Sequence, residues 1–145
     1  MTRAQFSAMV ARALDLKTTS SSSFKDVKGT WYEKDVQALY EAGIVYGIDS
    51  TTFKPNETIT RLQAAMMLSR LLDYANADLE NVEMPAHSFK DVANLNANAK
   101  EVVGRMQALG IFAGKKDGSF APYEQLTRSQ MAKTLYKSLQ IAEML

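Results

Sequence analysis

The chain has 145 residues, 46 % apolar and 23 % charged, with 17 Lys and Arg against 16 Asp and Glu and a net charge of +1. That balance suits one globular domain able to bury a core, excludes the strongly basic field of a nucleic-acid binder, and contains no apolar run near the ~18–20 residues of a membrane span. Cysteine is absent, which removes disulfides and thiolate metal sites and is compatible with an extracellular or a cytosolic protein alike.

The chain opens Met1-Thr2-Arg3-Ala4-Gln5, without the basic start and apolar stretch of a secretion signal. If it acts outside a cell, the expectation is a leader removed upstream. Phe6, Met9, Val10, Ala13 and Leu14 follow at the spacing of a helix with one buried stripe. Ser20 to Ser23 read as a linker. Phe24-Lys25-Asp26-Val27, Gly29 and Trp31 precede a second helix over roughly 32–42, with Val36, Leu39 and Tyr40 facing inward and Gly43 placed to stop it in the left-handed conformation. A loop of about a dozen residues with Gly, Asp and Pro turn signals then leads to Thr60-Arg61-Leu62-Gln63. The third helix carries Ala64, Met67, Leu68, Leu71 and Leu72 on its stripe, and Met66 and Met67 read as core filler.

After a linker over Asn76 to Ser88, the elements return. Phe89-Lys90-Asp91-Val92 matches Phe24-Lys25-Asp26-Val27, and Gly110-Ile111-Phe112-Ala113-Gly114 matches Gly43-Ile44-Val45-Tyr46-Gly47. Phe120-Ala121-Pro122 matches Phe53-Lys54-Pro55, and Thr127-Arg128-Ser129-Gln130 matches Thr60-Arg61-Leu62-Gln63. A two-residue insertion after Val92 accounts for the one change of offset. A helix is expected over roughly 98–109, ended by Gly110. The last helix has the stripe Met131, Thr134, Leu135, Ser138 and Leu139, whose polarity predicts weaker packing or greater exposure. With Thr2-Arg3-Ala4-Gln5 as a third copy, the chain reads as a half-repeat and two full repeats. These are residues 1–19 (second half of repeat one), 20–76 (repeat two) and 77–145 (repeat three). Five helices and no strand pair make the fold all-α.

Thr with Gln three residues on is a capping box in all three copies, satisfying two orphan backbone donors at a helix start. Capping does not explain Arg3, Arg61 and Arg128, which stand in first helical turns where the macrodipole disfavours a cation. Two explanations remain open from spacing. Each Arg folds back onto a carboxylate such as Asp26 or Asp91, or onto loop carbonyls; or guanidinium and helix N-terminus together meet an external anion.

The run Phe-x-Asp-Val, Trp-Tyr, Asp-Val-x-x-Leu-Tyr-x-Ala-Gly-Ile-Val-x-Gly, Thr-Phe-Lys-Pro-Asn-Glu-Thr-Ile-Thr-Arg over residues 24–75 resembles the S-layer homology repeat. Residues 89–140 resemble it less completely, and 2–16 match its closing helix. The resemblance implies a pseudo-threefold spindle around a central helical bundle, whose inter-repeat grooves bind secondary cell-wall polysaccharide. It further implies that Arg3, Arg61 and Arg128 grip the carboxylate of a ketal-linked pyruvate. On this reading the module is extracellular, in the cell wall or S-layer of a bacterium, and replacing Arg61 by Ala weakens binding with folding nearly intact. The chain departs from the family's frequent Glu at Gln5, Gln63 and Gln130. Trp31 aligns with Asn98, so the grooves are not expected to be equivalent.

The other candidates have bland roles beside sharp ones. Trp31 either stacks on a sugar ring or covers a core edge, and the resemblance favours the groove. Asp26 and Asp91 cap the following turn or pair with an Arg, with sugar hydroxyls as a further use. Gly47 and Gly114 are turn residues whose bare backbone also lets a ligand approach. Asp49 and Asp117-Gly118 lack the regular oxygen spacing of a calcium loop, and His87 is read as solvated, so no metal, no cofactor and no catalytic set is expected. The rival reading is a structural helical repeat module binding a protein partner. A homo-oligomer, in which a second chain completes the missing half-repeat, is a further expectation.

Overall fold

The computed structural model describes residues 1–79, 82–83 and 89–144. The linker segment 84–88, with His87, lies outside them. The described residues form α1 (Arg3–Ala13), α2 (Glu33–Glu41), α3 (Arg61–Tyr74), α4 (Ala97–Ala108) and α5 (Arg128–Ile141), with a 3-10 turn at Lys90–Val92. The fold is all-α, with isolated bridges at Thr2–Thr58 and Thr60–Gln125.

The capping boxes form as their spacing dictates. Thr2, Thr60 and Thr127 accept from the backbone N–H of Gln5, Gln63 and Gln130, and each Gln side chain accepts in return from the cap residue's N–H. Gly43 and Gly110 take the left-handed conformation at φ 75° and 72°. There they let Ile44 N–H reach Leu39 O and Ile111 N–H reach Met106 O, closing α2 and α4. α1, α3 and α5 end in the same way on Asp15, Asn76 and Glu143, all at positive φ. No glycine marks those ends in the sequence.

Two compact units emerge, Met1–Ile59 and Thr60–Leu145, and they do not follow the sequence repeats. Unit 1 joins the closing helix of repeat one to the opening half of repeat two. Unit 2 joins the closing helix of repeat two to repeat three. In unit 1, α1 packs on α2 around Phe6, Val10, Phe24, Val36, Leu39 and Phe53; in unit 2, α3 packs on α4 and α5 around Leu68, Leu72, Met106, Phe112, Phe120 and Met131.

Several packing details differ from the periodicity. The α3 stripe is buried throughout, but Ala13 is exposed on α1 and Tyr40 is 40 % exposed, its ring meeting Phe24 edge-on. Met66 is half-buried while Met67 is core. The polar stripe of α5 is buried like that of α3. Thr134 Oγ1 donates to Met131 O and Ser138 Oγ to Thr134 O, so both hydroxyls are satisfied within their own helix. The connections 42–60 and 109–127 exceed the expected dozen residues. They are ordered by their own turns, such as Ile48 N–H to Thr52 O at 2.8 Å and Lys115 N–H to Ser119 O at 2.8 Å.

Candidate functional site

Each long loop wraps the start of the Thr-Arg-x-Gln helix in its own unit. In unit 1 the N–H of Arg3 donates to Glu57 O at 2.8 Å and that of Ala4 to Pro55 O at 2.9 Å. In unit 2 the N–H of Arg61 donates to Glu124 O and that of Leu62 to Pro122 O, both at 2.9 Å. With the third N–H taken by the capping threonine, the first turns of α1 and α3 are filled by the protein itself. The expected joint use of helix N-terminus and guanidinium on an external anion therefore does not hold at these two helices. No such loop covers the first turn of α5 among the described residues, and Arg128 is exposed.

The guanidinium groups of Arg3 and Arg61 are engaged as well. Arg3 is 8 % exposed; its Nε donates to Phe53 O at 3.0 Å, its Nη2 to Tyr46 O at 3.3 Å, and it sits 4.5 Å from the Phe53 ring centroid. Arg61 is 7 % exposed, with Nε to Phe120 O at 2.8 Å and the rings of Phe120 and Phe112 at 5.1 and 5.3 Å. Burial pushes the pKa of Arg61 down, opposed by the fields of Glu124 and Asp91; an arginine remains charged there. Among the described residues Arg61 has no carboxylate within ion-pair distance, and the Phe120 carbonyl and two ring faces hold it.

Asp26 and Asp91 work from the other side of the same loops. Asp26 accepts from Phe53 N–H at 3.0 Å and Lys54 N–H at 2.8 Å; Asp91 accepts from Phe120 N–H at 3.0 Å and Ala121 N–H at 2.8 Å. Neither caps the turn that follows it. Lys54 and Ala121 both stand at positive φ, 59° and 56°, a strained conformation for a residue with a side chain. The carboxylates fasten it. Phe53 and Phe120 are thus clamped twice, N–H to an aspartate and C=O to an arginine.

Gly47 and Gly114 complete the clamp by packing. A Cβ on Gly47 would stand 2.4 Å from Phe24 Cε1, and one on Gly114 2.5 Å from Phe89 Cε1. Each Phe-x-Asp-Val motif therefore needs a glycine under its ring. Arg3, Asp26 and Gly47 gather in unit 1, and Arg61, Asp91 and Gly114 in unit 2. Trp31 is elsewhere. It is 64 % exposed and lies edge-on to the buried Tyr32, with its ring centroid 5.7 Å from the Arg12 guanidinium. Arg12 is nine residues along α1 from Arg3, about 13 Å at 1.5 Å per residue.

In unit 2 a cleft of about 190 Å³ opens beside Arg61, walled by the segment Gly110–Gly114 and by Gln130, Lys133 and Lys137 of α5. Lys137 Nζ donates to Gly110 O at 2.8 Å. Every charged residue of that lining is basic. Lys133 and Lys137 were not singled out from sequence. The signal was available for one of them, because Lys137 aligns with Arg12 and Arg70, nine residues after the arginine of each Thr-Arg-x-Gln element.

A family model for the S-layer homology domain matches residues 23–65 and 88–132. The chain is 39 % identical over 136 residues to an endoglucanase of Bacillus sp. (strain KSM-635), covering 93 % of this chain and 14 % of that protein. It is 35 % identical over 142 residues to an amylopullulanase of Thermoanaerobacterium thermosulfurigenes, covering 97 % of this chain and 8 % of that one. Against an S-layer protein of Bacillus thuringiensis subsp. finitimus it is 31 % identical over 140 residues, 95 % of this chain and 16 % of that one. The chain thus spans a small fraction of each of these relatives. The chain is a member of the S-layer homology family, a cell-surface anchoring module.

Proposed function

We propose that this module anchors a longer protein, an S-layer protein or a surface enzyme, by non-covalent binding of a pyruvylated secondary cell-wall polysaccharide, without catalysing a reaction. The observation that carries the reading is the cleft beside Arg61. Arg61, Lys133 and Lys137 line it, no carboxylate is among its lining residues, and the backbone from Gly110 to Gly114 forms one wall. A ligand carboxylate entering there meets the buried Arg61, the half-buried Lys137 and the exposed Lys133, and its hydrogen bonds to them are charge-assisted. Gly114 offers no side chain against an approaching sugar ring. Arg128, exposed at the start of α5, is a second contact for an acidic sugar. Arg3 takes the same part in unit 1 that Arg61 takes in unit 2, with Asp26, Asp91, Gly47 and Gly114 holding the loops in shape and Trp31 offering an aromatic face. Modest sites on one chain add through avidity.

Calorimetry with a purified pyruvylated wall-glycan fragment tests this, alongside the same fragment freed of its ketals by mild acid. Removal of the ketals, or Lys133→Ala, is expected to weaken binding about tenfold, the loss of one charge-assisted contact. Equal affinity for both fragments would remove the acidic sugar from the mechanism and favour a protein partner.

A further inference from the structure

Each unit carries a second depression, on the flank where the Thr-Arg-x-Gln helix meets the helix after it. In unit 1 a cleft of about 390 Å³ is lined by Arg12 and Asp15 of the α1 end and by Lys34 and Asp35 of α2. In unit 2 a cleft of about 390 Å³ is lined by Ser69, Arg70 and Asp73 of α3 and by Glu101, Val102 and Arg105 of α4. The repeat register places Arg12 on Arg70, Asp15 on Asp73, Lys34 on Glu101 and Asp35 on Val102. The same hollow therefore occurs twice, away from the Thr-Arg-x-Gln and Phe-x-Asp-Val elements.

An ion pair crosses each cleft, with its polarity reversed between the two. Arg12 of α1 meets Asp35 of α2 at 3.2 Å, and Asp73 of α3 meets Arg105 of α4 at 3.0 Å. Arg105 is steadied further by Ser69 Oγ at 2.8 Å. Each pair joins a largely exposed side chain, Arg12 at 65 % and Asp73 at 66 %, to a mostly covered one, Asp35 at 18 % and Arg105 at 23 %, so each cleft presents an accessible charge whose partner is held in place. The third copy, with Lys137 and Gln140 at the positions of Arg70 and Asp73, lacks the Arg–Asp combination.

Both signs of charge alternate around each hollow. In unit 2 Arg70 and Arg105 balance Asp73 and Glu101, above an apolar strip of Met66 and Val102. A ligand carboxylate would meet Asp73 and Glu101, and a ligand cation would meet the arginines. A sugar hydroxyl donates and accepts at once and satisfies both kinds of partner, while the C–H face of the ring covers the apolar strip. In unit 1 the exposed face of Trp31, beside Arg12, serves the same purpose.

We infer that these two clefts bind uncharged sugar residues and are distinct in chemistry from the cationic cleft at Arg61. Along α3, Arg61 is separated from Ser69–Asp73 by about 12–18 Å at 1.5 Å per residue, so the two sites of unit 2 take different residues of one chain of sugars. The inference draws its ligand from the wall-glycan reading above, but its sites are independent of the arginines of the Thr-Arg-x-Gln elements.

The test is an amide-shift titration of the ¹⁵N-labelled full chain with wall-glycan fragments, once with their acidic ketals and once with the ketals removed. The ketal-free fragment is expected to shift amides at 12–18 and 34–35 and at 69–73 and 98–105. Asp73→Asn, or Glu101→Gln at an exposed position, should weaken the unit 2 response about tenfold and leave unit 1 unchanged. If the ketal-free fragment moves neither cleft while the acidic one moves 110–114 and 130–137, this inference is overturned and the proposed function stands. Shifts at both clefts, with silence around Arg61 for the acidic fragment, support the inference and remove the proposed function. Silence everywhere, or unit 2 shifts that survive both substitutions, overturns it.

Discussion

Arg61→Ala is expected to lower stability as well as affinity, against the expectation from sequence that folding stays nearly intact. The side chain is 7 % exposed, and its Nε donates to Phe120 O at 2.8 Å. A hydrogen bond from a charged donor contributes about 1.5–3 kcal/mol. The contacts with the Phe112 and Phe120 rings contribute about 0.5–2 kcal/mol more when desolvated. Relief of burying a charge, the same burial that pushes the Arg61 pKa down, offsets part of this. A net loss of about 2 kcal/mol corresponds to a drop in Tm of roughly 8–16 °C for a unit of this size. Arg128→Ala is the matched control, because Arg128 is exposed and its loss should stay within about 0.5 kcal/mol. Thermal melts of both variants by circular dichroism decide the matter, with calorimetry on the glycan run well below either midpoint. A Tm for Arg61→Ala within about 2 °C of the parent would mean that the carbonyl bond and ring faces hold nothing, and the clamp argument would fail.

Three further outcomes follow from the same geometry. Gly47→Ala forces a Cβ to within 2.4–2.6 Å of Phe24 and of two backbone oxygens; overpacking of this kind costs about 1–3 kcal/mol or more, readable as a lower urea midpoint at unchanged m-value. Asp91→Asn keeps one acceptor for Phe120 N–H but turns an amide donor toward either it or Ala121 N–H, so about 1.5–3 kcal/mol should be lost and amide exchange over 115–124 should accelerate. Glu33 and Glu41 titrate below the ordinary carboxylate value of 4.5, the first through backbone N–H bonds from Ser22 and Gly29 and the second through Gln37 and Thr18. Depressed carboxylates stabilise fully above their unfolded pKa and lose that contribution as pH falls through the folded one. Tm should therefore decline in acid below about pH 4.5, and Glu33→Gln should flatten the decline.

Local chemistry was legible wherever it lies within one or two turns of chain. Thr2, Thr60 and Thr127 with their glutamines cap as spacing requires, and Gly43 and Gly110 end their helices. The unmarked ends at Asp15, Asn76 and Glu143 were not legible, because the left-handed conformation there is imposed by closing hydrogen bonds rather than advertised by a glycine. The candidate site was legible as a set of residue types but not as an arrangement. Arg61 could be seen as electrostatically misplaced at a helix start; that its partner is the carbonyl of Phe120, 59 residues away, depends on a loop path no periodicity encodes. For the same reason spacing offers Asp91 only an arginine or a nearby turn, whereas it holds the N–H of that same phenylalanine. The polar stripe of α5 misled because Thr134 and Ser138 satisfy their hydroxyls locally, which makes them as buriable as the leucines they replace.

The offset between sequence repeat and compact unit leads to the remaining prediction. Residues 20–76 make one complete sequence repeat, yet they part α2 from α1 and α3 from α4 and α5, the helices each packs against. What remains is a helix of 9 residues and one of 14, near or below the ~12–15 residues at which an isolated helix is marginal in water. Arg61 would also lose Phe120 O, and the loop carbonyls that fill the first turn of α3 would be gone. A fragment of residues 20–76 should therefore show little helical signal and no cooperative melt. Residues 60–144 keep α3 with both its partners, the Arg61–Phe120–Asp91 clamp and the basic cleft, and should melt cooperatively and bind the acidic glycan fragment. The reverse outcome, a cooperative 20–76 and an unfolded 60–144, would show that the sequence repeat is the folding unit and that the arginine clamp closes a structure already made without it.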